Sequence, residues 1–149
     1  MMTETKISID DDPEIRKLIV NGYENSSKLM ACRFAISSAR DILKLIDQPF
    51  DDEIRKALRI NDKWQNGEAS ISEVRKEVFS IHGLAKESDD PIIVAALRTV
   101  GHAIASAHMK EHALVAADYA IRVVNLLYPK DMEAVKRVRL IQLGYLDKK

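Results

Sequence analysis

Residues 91–120 read PIIVAALRTVGHAIASAHMKEHALVAADYA, and nine of them are alanine. Alanine has the highest helix propensity and the smallest side chain that still packs. A helix of this composition can approach its neighbours closely, as the central helix of a bundle does. The helical pattern continues to Tyr128, before Pro129. Since that length is large for one globular helix, a break near Met109–Lys110 would fit, although no residue there forces one.

Helical periodicity also runs through the flanking segments, and few breakers interrupt it: five glycines and four prolines in 149 residues. Asp12–Pro13 and Asp90–Pro91 each place a capping carboxylate before proline at the first helical position. Ser70–Glu73 matches a capping box. The predicted helices are 12–22, 27–46, 51–67, 70–89, 91–128 and 131–145.

These patterns predict the all-α class: a single-domain bundle of about six helices, mostly antiparallel, around an alanine-rich central helix. We expect residues 1–11 to form a flexible acidic N-terminal tail and residues 12–146 to form the domain. The aspartates at 10–12 are interpreted as a solvated tail and a helix cap, because their spacing lacks the loop of a calcium site.

The charge balance excludes some partners. Lys plus Arg and Asp plus Glu each number 23, so nothing favours capture of a polyanion such as DNA. The basic residues near the C-terminus are interpreted as a solvated helix face; they are Lys130, Lys136, Arg137, Arg139, Lys148 and Lys149. No apolar run resembles a signal peptide or a membrane span. We expect a cytoplasmic protein without nucleic-acid or membrane partners.

Histidine is the most unusual feature of the central segment, which holds His102, His108 and His112. Imidazole titrates near neutral pH and is the commonest metal ligand. On a straight helix, His108 and His112 share a face and His102 lies on another. His82, on the preceding helix, could approach from an antiparallel neighbour. The candidate metal ligands are therefore His82, His102, His108 and His112 with Glu111, and none is assigned.

Three interpretations of these histidines stay open: a zinc site, a structural role, and exposure of part of the cluster for contact with a partner. His108–His112 matches the HxxEH string of inverted zinc peptidases, but such a site needs a further carboxylate and a cleft that a small helical chain lacks. The alternative is a structural role, in which the rings make interhelical hydrogen bonds to groups such as Ser106, Asp118 and Tyr119. On that interpretation, His108→Ala would lower stability by roughly 1–3 kcal/mol if the ring is buried.

Other marked residues favour packing over chemistry. Cys32 is the only cysteine, so it forms no internal disulfide and reads as a small buried hydrophobe. Trp64, the only tryptophan, is expected to pack on a neighbouring helix. No P-loop, nucleotide-binding glycine string or serine elbow is present, so we expect no cofactor.

The order of motifs over roughly residues 29–121 resembles the immunity-five-like group, small all-α bacterial proteins regarded as immunity proteins of toxin systems. The most specific block is GHA-x-x-x-[ST]AH-x-x-x-HA, and the Trp-x-x-Gly-Glu turn is less specific. The residues that carry the resemblance are Trp64, Gly67, Glu68, Arg75, His82, Gly101, His102, His108, His112 and Tyr119. Where the family carries tryptophan, an acidic residue and cysteine in its first long helix, this chain reads FAISSA at 34–39. If that block touches the toxin, this protein would bind a different toxin or none.

The resemblance implies a protein that binds a toxin-like partner stoichiometrically and without catalysis. The alternative is a metal-dependent hydrolase or metal-binding protein that uses His108, Glu111 and His112. A homodimer formed through an exposed helix face also stays open.

Overall fold

The computed structural model describes residues 4–47 and 51–147. Within those ranges the chain forms seven α-helices and no strand. They are α1 (Pro13–Glu24), α2 (Lys28–Leu45), α3 (Asp52–Gln65), α4 (Ile71–Glu87), α5 (Pro91–Ala105), α6 (His112–Leu127) and α7 (Met132–Leu146). The all-α class is confirmed, and the expected number of about six helices rises to seven because residues 91–128 form two helices.

Local capping chemistry explains where most of these helices begin. Six helices start after a side-chain oxygen that accepts a backbone N–H of the first turn. These caps are Asp12, Ser27, Asp51, Ser70, Asp90 and Asp131. Ser70 and Glu73 form the complete capping box. The cap-then-proline starts of α1 and α5 are also confirmed.

The long central segment breaks between α5 and α6. Residues 106–111 form turns, in which the buried Ser106 hydroxyl donates to the Ala103 carbonyl at 2.6 Å. The Lys110 ammonium lies 4.5 Å from the centre of the Tyr23 ring of α1, which ties the turn to that helix. The expected break near Met109–Lys110 is therefore present, and it lets α5 and α6 pack against each other.

The centre of the bundle is the α5–α6 pair with α2. The contact between α5 and α6 is the most extensive of all helix pairs in the described chain, and α2 packs on both. All nine alanines of residues 91–120 are buried, which permits this close approach. Helix α4 covers α5, α3 covers α4, and α1 packs against α7. No helix in the described chain is long and apolar enough to cross a bilayer.

A polar centre joins the N-terminal segment to α1, α6 and α7. Two of its side chains, Asp11 and Arg139, lie in surroundings that differ from those expected from the sequence. The guanidinium of Arg139, fully buried, binds both carboxylate oxygens of Asp11 at 2.8 and 2.9 Å and Asp118 at 2.7 Å. Arg16 forms a two-pronged contact with Asp118, and Gln142 accepts from Arg139 at 2.8 Å. We call Asp11, Arg16, Asp118, Arg139 and Gln142 the arginine network.

The network corrects two interpretations of charged residues. Arg139 was assigned to a solvated basic face, but the i, i+4, i+7 spacing of Val135, Arg139 and Gln142 places it on the buried side of α7. Asp11 was assigned to a solvated tail, whereas it is an ion-pair partner of Arg139. The Asp10 N–H also donates to the Asn125 side chain at 2.8 Å.

Candidate functional site

Three of the histidines meet where α4, α5 and α6 come together. The rings of His82 (α4) and His102 (α5) lie 5.2 Å apart in an edge-to-face arrangement. The rings of His102 and His112 (the first residue of α6) stack at 5.1 Å, and the Tyr119 ring stacks on His102 at 5.3 Å. We call His82, His102, His112 and Tyr119 the histidine cluster. The expectation that His82 approaches from a neighbouring helix is borne out by this contact with His102.

Gly101 makes this meeting of helices sterically feasible. A Cβ atom at Gly101 would lie 2.6 Å from Cε1 of His82, closer than real Cβ contacts allow. Only glycine therefore lets the imidazole of α4 lie directly against the backbone of α5. In the Gly-His-Ala part of the motif, Gly101 leaves room for the His82 ring, His102 supplies the stacked ring, and Ala103 is buried.

Hydrogen-bond geometry favours neutral rings in the cluster. Nη1 of Arg98 lies 2.7 Å from Nδ1 of His82. Because a guanidinium only donates, His82 must accept at Nδ1 and carry its proton on Nε2. The Nδ1 atoms of His102 and His112 lie 2.9 Å apart, so one donates and the other accepts. The two rings cannot both be imidazolium cations in this arrangement, because one Nδ1 atom must accept.

The electrostatic surroundings act in the same direction. Burial lowers the pKa of His82 and of His112. Burial lowers the pKa of His102 to about 3. Repulsion from either neighbouring ring in its protonated form, and from the cations Arg98 and Lys6, acts in the same direction. These rings are thus uncharged at neutral pH, and a neutral imidazole is a weaker hydrogen-bond donor than an imidazolium.

His108 lies apart from the cluster. Its side chain is exposed, and residues 108–111 form turns rather than helix. The prediction that His108 and His112 share a helix face is therefore wrong, because helical spacing does not extend across the break. Glu111 ends this turn as the residue before α6 and makes no side-chain cap. The HxxEH string consequently lacks the continuous helix on which its two histidines would face one ion.

The remaining candidates for chemistry have structural surroundings. Across the described ranges, no group of three or more His, Cys, Asp or Glu side chains is arranged to hold a metal ion. Cys32 is buried, its thiol pKa is raised by burial, and the Asn61 amide lies 3.4 Å from its sulfur. Asn61 also donates to the Ile104 carbonyl at the end of α5. A protonated thiol in this setting is a packed polar group rather than a nucleophile.

The Trp-x-x-Gly-Glu turn has a purely architectural explanation. Gly67 adopts a left-handed φ of 76°, its N–H donates to the Trp64 carbonyl, and the Glu68 N–H donates to the Lys63 carbonyl at 2.7 Å. This pattern is a Schellman motif, which ends α3 and requires a residue that tolerates positive φ. Trp64 is partly buried and packs against the main core, in agreement with the expectation for it.

The motif residues thus fall into four places, one of which is the exposed turn that holds His108. His82, Gly101, His102, His112 and Tyr119 form or permit the histidine cluster, and the tryptophan turn ends α3. Arg75 is exposed on α4.

The sequence of the chain matches, over residues 21–149, the family described as Imm-5 like putative immunity protein. The chain belongs to this family. No curated protein and no solved structure matches the chain significantly.

A groove of about 400 Å³ lies between α2, α6 and α7. Ile42, Val124 and Val138 line its apolar floor, and Leu45 and Ile141 are exposed at its edge. No histidine or cysteine lines it. Polar groups of its lining are engaged locally: Asp41 accepts from the Tyr145 hydroxyl, Asp131 caps α7, and Ser38 donates to the Phe34 carbonyl.

Proposed function

We propose that this family member is a non-enzymatic immunity protein, which binds a toxin-like protein partner stoichiometrically in the cytoplasm. The observation that carries the proposal is the closed arrangement of the histidine cluster. Its rings pack on one another and on Tyr119, and their hydrogen bonds run to Arg98 and to each other. Membership of an immunity protein family supplies the class of partner.

The cluster lacks the relations that make histidine catalytic. A general base is oriented by a carboxylate or carbonyl on its second nitrogen and reaches a nucleophile. In the part of the chain that the structure describes, no histidine forms an ion pair with a carboxylate. The cationic Arg98 beside His82 opposes the formation of imidazolium during a reaction. The arrangement therefore supports a structural role for the rings and recognition elsewhere on the surface.

Co-expression with candidate toxins encoded beside the gene of this protein tests this proposal. We expect growth to recover only when the protein is at least equimolar with the toxin, and calorimetry on the purified pair to give a stoichiometry of one. The toxin should keep its mass after release from the complex. Protection at strongly substoichiometric amounts, together with a chemically altered toxin, would show an enzyme instead.

The metal-dependent alternative is separated by the same experiment. Protein purified without a histidine tag is assayed for zinc and other transition metals and then treated with a chelator. Unchanged protection and an unchanged melting temperature after chelation are expected. Stoichiometric metal, with protection lost by His108→Ala and by Glu111→Gln, would support the hydrolase instead. Light scattering on the free protein tests whether it forms a homodimer.

A further inference from the structure

We propose that the outer surface of α4 is where the partner docks, and that the partner presents an acidic surface with an apolar recess. This inference rests on the proposed function. The surface, called here the α4 basic face, consists of Arg75, Lys76, Phe79, Gly83 and Lys86. It lies beside the histidine cluster, to which His82 of the same helix belongs.

Phe79 is the centre of this face. Its side chain is 74% exposed, the highest value among the exposed large hydrophobic side chains of the described chain. Phenylalanine belongs to the residue types that are most often buried, so a ring that is mostly exposed is informative. Rigid aromatic side chains that fill a partner's recess are typical anchors of protein interfaces.

Helical geometry surrounds Phe79 with basic side chains. At about 100° per residue, Arg75, Lys76 and Lys86 all lie within about 60° of the Phe79 direction. The opposite side of α4 is the buried one and carries Val74 and Ile81. The nearest carboxylates of the helix, Glu73 and Glu87, point about 80° or more away from Phe79. The face therefore combines one aromatic anchor with three cations and no anion.

Some basic side chains in the described part of the protein are compensated by ion pairs, and those of this face are not. Arg16 and Arg139 bind Asp118, and Arg40 binds Asp62. Within the described ranges, no ion pair involves Arg75, Lys76 or Lys86. In a chain whose formal net charge is zero, this face is a local positive excess. Complementary carboxylates on a partner would accelerate encounter and set its orientation.

The chemistry of the face favours an acidic protein over two other occupants. A twofold dimer through this surface would bring like charges together around the symmetry axis, at an electrostatic cost. A nucleic acid would be steered by charge, but overall neutrality supplies no long-range field for it. An acidic protein surface with an apolar recess satisfies both Phe79 and its cationic surroundings.

Gly83, one turn from Phe79, gives this face a useful probe. A Cβ atom at Gly83 would contact nothing within 4 Å, so the space above it is open. Replacing a helical glycine raises helix propensity, so Gly83→Glu should fold at least as well as wild type. The added carboxylate would repel an acidic partner and obstruct the space beside the aromatic ring.

Binding of the candidate toxins to full-length variants tests the location by biolayer interferometry. We expect Phe79→Ala to weaken the affinity by about 30-fold and Gly83→Glu to weaken it similarly. The double variant Arg75→Glu/Lys76→Glu should slow association about tenfold at low salt and less at physiological salt. Melting temperatures verify that each variant is folded.

Matched controls lie on α7, away from this face. Lys136→Glu/Arg137→Glu repeats the paired charge reversal, and Ile141→Ala removes an exposed apolar side chain that is 47% exposed. Both should leave affinity and association rate within about threefold, as expected for side chains outside an interface.

The outcomes separate this inference from the proposed function. If wild type binds no toxin, both fail. If wild type binds and the α4 variants bind equally well, or Ile141→Ala is the damaging change, the function stands and this location is wrong. A fluorescein-labelled single-stranded oligonucleotide that binds wild type but not Arg75→Glu/Lys76→Glu would identify a nucleic-acid surface and overturn the acidic-protein inference. Self-association of wild type that Gly83→Glu abolishes would identify a dimer interface and overturn it too.

Discussion

The histidine cluster and the arginine network are two solutions to the same problem, the burial of polar side chains in a small helical bundle. They meet at α6, where Asp118 belongs to the arginine network and the adjacent Tyr119 belongs to the histidine cluster. In the network, carboxylates compensate the charge of Arg139. In the cluster, the rings are kept neutral by burial and by surrounding positive charge. In the described chain, no buried side-chain nitrogen or oxygen lacks a hydrogen-bond partner, so the two centres differ in charge and not in hydrogen-bond satisfaction.

Because of this difference, the two centres should lose their contribution to stability under different conditions. Burial of a charge is tolerated only while its partner remains, because the desolvation cost of an isolated ion is large. Burial of a neutral imidazole is tolerated only while the pH leaves it neutral. The network should therefore be sensitive to removal of one carboxylate, and the cluster to acid.

Removal of Asp118 should have the largest effect. Asp118→Ala takes one carboxylate from Arg139 and leaves Arg16 without this partner, and we expect a loss of about 3–5 kcal/mol in the free energy of unfolding. Urea titration followed by circular dichroism measures it. The matched control is Asp62→Ala, whose salt bridge to Arg40 has side chains 41% and 49% exposed. That pair should contribute at most about 1 kcal/mol, so equal losses in the two variants would remove the distinction.

Acid should act mainly on the histidine cluster. The pKa of His102 falls from 6.5 in the unfolded chain to about 3 in the folded protein, so the unfolded chain binds the proton more tightly. The resulting stability is present above about pH 6.5 and is lost as the pH falls toward 3. From His102 alone we expect a loss of about 1–2 kcal/mol between pH 7 and 5, with His82 and His112 acting in the same direction.

Urea titrations at the two pH values measure this loss. A variant whose aromatic ring cannot bind a proton provides the comparison. His102→Phe keeps an aromatic ring for stacking and removes the proton-binding site. Its stability should fall less than that of wild type over the same pH interval. An equal fall in both proteins would place the acid sensitivity outside His102.

The contact between Gly101 and His82 offers a more local perturbation. Gly101→Ala would put a methyl group into the imidazole, and we expect a loss of about 1–3 kcal/mol from overpacking. Gly83→Ala, in the open space on α4, should instead raise stability by up to about 1 kcal/mol. Thermal melting of the pair measures the difference. Equal shifts would mean that the His82 ring moves aside without cost.

Local signals in the sequence were sufficient for most of the fold. Capping oxygens followed by proline or by a capping box announce helix starts within a few residues, as at Asp12, Ser70 and Asp90. The end of α5 was harder to place. Residues 106–111 contain no proline or glycine, and Lys110 of this turn contacts the Tyr23 ring on α1. A break that depends on tertiary contacts leaves little trace in local sequence.

The candidate site was predictable only in part, for a related reason. The approach of His82 followed from the expectation that α4 packs beside α5. The face of His108 was inferred along a helix that does not continue to that residue. The arginine network was missed because Asp11 and Arg139 lie 128 positions apart. Charge and composition show that cations are present, and only the fold decides which carboxylate each one meets.

His108 should give the smallest effect, and it tests the boundary of the cluster. A buried ring would justify the 1–3 kcal/mol expected from sequence, but the His108 side chain is exposed in the turn before α6. We therefore expect His108→Ala to change the free energy of unfolding by no more than about 0.5 kcal/mol, as for most surface substitutions. Urea titration measures this change. His102→Ala, measured in parallel, removes the central stacked ring and should be clearly more destabilising. If His108→Ala costs as much as His102→Ala, the fourth histidine belongs to the cluster in solution, and the turn at 106–111 closes over it.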